Sequence, residues 1–272
     1  MASYIYSAGG GAAADPLVVV QEYNFKDSTP IDISNAGSHS VLKADGSTAL
    51  ATIICGHDAS GGTIDGDRNL DVNTNGIVVD VTSDSGGENV FLAVALPTDL
   101  KDTFDVSYMM FEWIISGLTL TGTNNSLVKF KVSTSADMRG TPANGLVVIK
   151  SSAASSYDVK GEVQYSSGTT RTSADQTVFT GGNLHVQLLM RRQSGVVYIG
   201  TGTSFADPYT LTTSFGLGGR SFPATRPCGA GGSAPQWGAP YMSMLFDANT
   251  TGDRVQCTIE AFRICKFSPS VS

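Results

Sequence analysis

The segment Tyr157-Asp158-Val159-Lys160-Gly161-Glu162-Val163-Gln164-Tyr165 decides how the rest of the chain is read. On an extended backbone Tyr157, Val159, Val163 and Tyr165 fall on one side together with Gly161, and Asp158, Lys160, Glu162 and Gln164 fall on the other. A helix would scatter the same residues around its axis. The segment therefore predicts a strand with one face against a core. Upstream, Val128, Phe130 and Val132 alternate with Leu127, Lys129 and Lys131, giving an apolar face and, Leu127 apart, a basic one. Downstream, Leu184 to Arg192, the turn Gln193-Ser194-Gly195 and Val196 to Gly200 predict two antiparallel strands joined tightly.

The same grammar extends to both ends. Ala49 to Cys55, Gly76 to Val81, Asn89 to Leu96, Leu146 to Ile149, Met242 to Phe246 and Arg254 to Phe267 are short β-rich runs separated by turn residues, and Pro97 stops the third of them. In Phe104 to Ile115, Phe104, Val106 and Tyr108 alternate with Asp105, Ser107 and Met109. The phase is lost after Met110, which predicts a bulge or a new strand start there. Asp99 to Asp102 offers a single helical turn. The expectation is an all-β chain folded as a two-sheet antiparallel β-sandwich. Its organisation reads as an N-terminal arm over 1–30 with a strand candidate at Leu17 to Val20, a sandwich over 31–267, and a tail over 268–272. A long Gly/Pro-rich loop over 222–240 interrupts the sandwich.

Composition narrows the function. The 272 residues carry 17 Lys plus Arg against 24 Asp plus Glu, a formal charge of -7, so a phosphate backbone finds few cations to hold and nucleic acid is not an expected partner. Only 15% of residues are charged, which suits weakly charged subunit contacts. No stretch approaches the roughly 18 apolar residues of a membrane span, and Met1 to Asp15 has no basic start or apolar centre of a secretory leader. The four cysteines, Cys55, Cys228, Cys257 and Cys265, form no C-x-x-C pair and read as buried free thiols. His39, His57 and His185 lack the spacing of a zinc hydrolase, and His57-Asp58 is read as a polar loop.

Val186-Gln187-Leu188-Leu189-Met190-Arg191-Arg192, the Ser194-Gly195 turn and Val197-Tyr198-Ile199-Gly200 resemble adjacent strands of concanavalin-like and laminin-G-like sandwiches. Gly252-Asp253-Arg254-Val255 followed by Ile259-Glu260-Ala261-Phe262-Arg263-Ile264 resembles the closing strand of that superfamily. The resemblance spans Val90 to Phe267 and implies a concanavalin-like jelly roll. Such folds serve carbohydrate-binding domains, glycan-cleaving enzymes and domains that decorate viral particles, so the fold alone does not choose among them. The glucanase members carry E-x-D-x-E or E-x-D-x-x-E on a strand. Neither occurs here: Glu112 precedes Trp113-Ile114-Ile115, Glu162 has no acidic same-face neighbour, and Glu260 precedes Ala261-Phe262.

These features lead to one expectation and its rivals. The first is a non-enzymatic structural or decoration protein of a bacteriophage particle, a homo-oligomer that also contacts other virion proteins and assembles in the host cytoplasm. The alternative is a glycan-binding adhesin or tail-fibre module; a polysaccharide-cleaving enzyme stands third. Trp237, in Pro235-Gln236-Trp237-Gly238-Ala239-Pro240, and the nearby Tyr241 are candidate contacts for a sugar or a partner, because flat aromatics supply area with few rotors. Arg191 and Arg192 are candidates for an acidic partner, although adjacent strand residues point to opposite faces. Trp113 is read as core. Asp247, Asn249 and Asp253 form a candidate calcium group, as the resemblance to legume-type and laminin-G-type domains implies; Asp65 to Asn75 is a weaker one, with Leu70 where a calcium loop of the EF-hand kind needs glycine.

Overall fold

The structure, a computed structural model, describes residues 17–57, 64, 66–84, 87–96, 108–122, 126–133, 145–153, 156–166, 169–172, 176–179, 182–191, 194–208, 210–211, 213–216 and 241–267. Among these residues there are only strands, all of them paired antiparallel, in two nine-stranded sheets. Sheet one runs β16 (Thr213–Gly216), β15 (Ser194–Gly200), β14 (Gly182–Arg191), β8 (Tyr108–Thr121), β18 (Arg254–Phe267), β6 (Gly76–Thr82), β5 (Arg68–Asn73) and β2 (Ile31–Asp32), with β1 (Val18–Asn24) beside β18. Sheet two runs β12 (Thr169–Thr172), β11 (Ser156–Ser166), β10 (Gly145–Ala153), β9 (Leu127–Ser133), β17 (Tyr241–Ala248), β7 (Glu88–Ala95), β4 (Ala49–Gly56) and β3 (Gly37–Leu42), with β13 (Gln176–Phe179) on β11. The arrangement is a jelly-roll β-sandwich of the concanavalin type.

The alternating patterns set the inner faces. Val128, Phe130 and Val132 of β9, Val147 and Ile149 of β10 and Tyr157 and Val159 of β11 enter the core from sheet two; Met109, Phe111, Trp113 and Ile115 of β8 meet them from sheet one. Trp113 is fully buried and packs edge-on against Phe130 with ring centroids 5.4 Å apart. Two hydroxyls tie the sheets: Tyr157 accepts the Leu120 N–H at 2.9 Å, and Tyr23 donates to the Ala95 carbonyl at 3.4 Å. Both bonds satisfy polar groups that the sandwich would otherwise bury alone.

Three local expectations are refined. β8 is continuous past Met110, and its phase is lost there because Met109 to Ile115 are buried on both faces, so neither side selects polar residues. The irregularities lie elsewhere, at Gly117-Leu118 opposite Cys257 of β18, at Ser116-Gly117 opposite Asn183 of β14, and at Glu260. Gly117 adopts φ 62°, the conformation a bulge of this kind needs and glycine supplies. Arg191 pairs with Ser194, so the hairpin turn precedes Ser194 rather than including it. The strand candidate at the end of the arm is β1, which lies against β18 from Val18↔Lys266 to Asn24↔Ala261. The 222–240 loop, the 268–272 tail, the 99–102 turn and Phe104 to Ser107 lie outside the described residues.

Candidate functional site

The side chains that do not enter the core divide between two outer faces. On sheet two, the outer positions of β17 are Tyr241, Ser243, Leu245 and Asp247, because Met242, Met244, Phe246 and Ala248 point inward. Tyr241 pairs with Ala95 of β7 and Ser133 of β9, and Ser40 of β3 pairs with Thr52 of β4. Ser40, Thr52 and Ala95 are exposed and Tyr241 is half-buried. This leaves one aromatic ring on a sheet surface of small and hydroxylated side chains. Further along the same face, Phe91 and Leu245 pack together with Ile54 beside them. Phe91 and Leu245 are buried, so it is the Tyr241 end of the face that combines an aromatic ring with hydroxyl donors and acceptors, the combination that recognises a flat amphipathic ligand.

On sheet one, the outer face carries a polar set that is closed. Glu112 of β8 and Gln187 of β14 are 0% exposed, His185 of β14 is 1% and Arg263 of β18 is 9%. His185 Nε2 donates to Glu112 Oε1 at 2.5 Å, Gln187 Nε2 to the same oxygen at 2.9 Å, and the Ala206 N–H to it at 3.1 Å. Arg263 Nε donates to Glu112 Oε2 at 2.7 Å. Arg263 also reaches the Ala206 carbonyl at 2.6 Å, and its guanidinium lies 4.5 Å from the Phe205 ring centre. Burial alone would raise the Glu112 carboxyl. The hydrogen bonds from His185 and Gln187, the charge of Arg263 and the Ala206 N–H outweigh it and hold the group below its ordinary range.

A buried carboxylate beside a histidine has the parts of an acid–base pair. Here Glu112 accepts four hydrogen bonds, one of them from the segment that covers it, so its capacity is spent on binding Phe205 to Asp207 to the sheet. The signal for this set was present in the sequence, as lone polar residues inside runs buried on both faces: Glu112 within Met109 to Ile115, His185 and Gln187 within Leu184 to Leu189, Arg263 within Ala261 to Cys265.

The other candidates are dispersed. Arg191 ends β14 in sheet one, whereas Tyr241 begins β17 in sheet two. Trp237 and Arg192 lie outside the described residues. Of the calcium group, Asp247 is on the outer face of β17, Asn249 is exposed, and Asp253 is buried with its carboxylate accepting the Thr250 N–H at 3.1 Å. Among the described residues no three His, Cys, Asp or Glu side chains converge on a point that would hold a metal. Asp65 to Asn75 is largely β5 and the hairpin into β6, where Asn73 Oδ1 caps Asn75 at 2.7 Å and Gly76 passes so close to the Ile259 carbonyl that no Cβ fits. His39 is bonded to the Asn35 carbonyl at 2.9 Å, and His57 is buried with neither ring nitrogen bonded. Cys55, Cys257 and Cys265 are free buried thiols; burial pushes Cys55 up to about 11 and Cys265 up to about 12.

No protein-family model and no curated protein matches the chain. Among solved structures, the CBM2 module of the evolved Dit of Lactobacillus casei BL23 phage J-1 superposes with a TM-score of 0.51 at 8% identity, over 96% of this chain and 100% of that one. The exoplasmic/lumenal domain of VIP36 in its Ca2+/Man3GlcNAc-bound form gives 0.47 at 8% identity, over 81% and 85%. A legume lectin-like domain from Entamoeba histolytica gives 0.42 at 9%, over 74% and 87%. At these identities the likeness is one of fold. No helix of the described residues is long and apolar enough to cross a membrane.

Proposed function

We propose that this chain is a non-enzymatic glycan-recognition module carried on a viral particle, with the outer face of sheet two around Tyr241 as its contact surface. The observation that carries the reading is the half-buried Tyr241 ring on a surface where Ser40, Thr52 and Ala95 are exposed. A sugar offers an apolar ring face edged by hydroxyls, and this surface offers an aromatic ring edged by hydroxyls. The closure of the Glu112 and His185 pair beneath its cover supports a binding rather than a hydrolytic role. The phage module that shares the fold over its whole length supports the viral setting.

Binding of the purified chain to an array of bacterial and host glycans tests the reading, with Tyr241→Ala as the variant. The expected loss is about 1–2 kcal/mol, roughly tenfold or more in affinity, because a central aromatic anchor is removed. A folded chain that binds no saccharide overturns the proposal. Stoichiometric recovery with particles through an interface above roughly 1,000 Å² would then favour a purely structural subunit.

A further inference from the structure

Four outer positions of sheet two fall in one line across its strands. Ser40 of β3 pairs with Thr52 of β4, Ile53 pairs with Val94 so that the same register sets Thr52 beside Ala95 of β7, and Ala95 pairs with Tyr241 of β17. Val41, Ile53, Val94 and Met242 next to them are buried in the core, so all four side chains turn outward. Ser40, Thr52 and Ala95 are exposed and Tyr241 is half-buried. The line crosses three strand spacings, about 14 Å. Its side chains are small up to β17, so the row is low along its length and ends at one aromatic ring.

The row carries no charge. β3 and β4 contain no Asp, Glu, Lys or Arg. Glu88, the acidic residue of β7, lies at the far end of that strand and pairs with Arg68 of sheet one. Asp247 lies at the far end of β17, and Lys131, diagonal to Tyr241 on β9, is buried. The hydroxyls also remain available: among the described residues no hydrogen bond engages the side chains of Ser40, Thr52 or Tyr241, whereas the hydroxyls of Tyr23 and Tyr157 are bonded within the chain. A charged ligand would lose water here and gain no counter-charge; a neutral ring edged by hydroxyls finds donors and acceptors beside an aromatic face. One sugar ring stacked on Tyr241 would leave Thr52 and Ser40 out of reach, about 10 and 14 Å away, so engaging the whole row takes several rings laid across the strands. We infer that this row takes an internal stretch of a linear neutral polysaccharide, running across β3, β4, β7 and β17 with one ring on Tyr241. The inference rests on the glycan-recognition reading and names the class of glycan.

Affinity electrophoresis of the full chain in galactomannan, hydroxyethylcellulose and dextran, with polygalacturonate and heparin beside them, tests charge and length separately. The expected result is retention by at least one neutral polymer, changed less than about twofold by rising sodium chloride. Short oligomers of that polymer should compete roughly tenfold or more better than its single sugar unit. Thr52→Asp, which sets a charge in the middle of the row, should weaken retention roughly tenfold or more, and Thr52→Ser should keep it. Ser40→Asp should act in the same direction, which keeps the test informative if one variant folds poorly, and Thr119→Ala on the other sheet should change nothing. Retention by the acidic polymers alone, competition by a single unit as strong as by the oligomers, or no response to either aspartate variant overturns this inference and leaves the glycan reading standing. Binding on the glycan array with retention by none of the neutral polymers does the same. Binding to no polymer of either kind, with none on the array, overturns both.

Discussion

The outer face of sheet one and the outer face of sheet two are built from the same kinds of residue and treat them differently. Glu112, His185, Gln187 and Arg263 lie under Phe205 to Asp207 and bond to one another and to that cover. Lys129, Lys150, Lys160 and Tyr241 are half-buried, with Ser40 and Thr52 exposed near the tyrosine. In the first region both carboxylate oxygens of Glu112 have fixed donors within the chain, so their free energy goes into position. The second region keeps Tyr241 half-buried on an outer face edged by the exposed Ser40 and Thr52, so a ligand has something to add. Charge alone therefore does not mark a binding surface; on sheet one the chain itself supplies the donors of the buried carboxylate.

That contrast is most readily broken at Glu112. Glu112→Ala should destabilise the fold by about 3–5 kcal/mol in urea unfolding, because Arg263 is left buried without its counter-charge. It should also expose the 201–211 segment to limited proteolysis. A loss below about 1 kcal/mol would mean that the network contributes little to holding the segment in place. Next in size, Tyr157→Phe removes an acceptor from a buried N–H and should cost about 1–3 kcal/mol without altering ligand binding, which marks a core bond as distinct from either face.

The acid response sharpens the comparison further. The Glu112 carboxyl is held below its ordinary value of 4.5, so its contribution to stability is fully present above about that pH and is lost as pH falls through the folded-state value. Unfolding free energy followed from pH 7 downward should show this loss only below about 4.5, and Glu112→Gln should lack it. A loss of the same size in that variant would assign the acid response to other carboxylates. The smallest effect belongs to sheet two: Lys129→Gln should move stability by no more than about 0.5 kcal/mol, since its side chain is half-buried on an outer face.

How far the sequence reveals these two regions follows from their burial. β9 and the start of β11 have one wet face, and their alternation reads directly as Val128, Phe130 and Val132 or Tyr157 and Val159 inward. β8 has no wet face in its centre, so its pattern reads as a break at Met110 when the strand is in fact covered on both sides. Glu112 is visible in the sequence as a lone acid in an apolar run, but its partners are not. His185 is 73 residues away and Arg263 is 151 away, and only the order β14, β8, β18 brings them together. Asp247, Asn249 and Asp253 are placed by the fold in a way their spacing does not reveal. Their spacing in sequence says nothing about the strand end between them, which leaves Asp247 on the sheet and turns Asp253 inward onto Thr250.

The positions of β17 and β18 bear on how the chain is made. β17 joins β9 to β7, and β18 joins β8 to β6 and β1, yet among the described residues these are the last two strands in chain order. Until they emerge from the ribosome, sheet two exists as two unjoined pieces and sheet one as two with β1 left unpaired, all with open hydrogen-bonding edges, and closure must wait for contacts between distant segments. The nascent chain is therefore most vulnerable to aggregation just before synthesis of this domain finishes, when nearly all its apolar strands exist and neither keystone strand is in place.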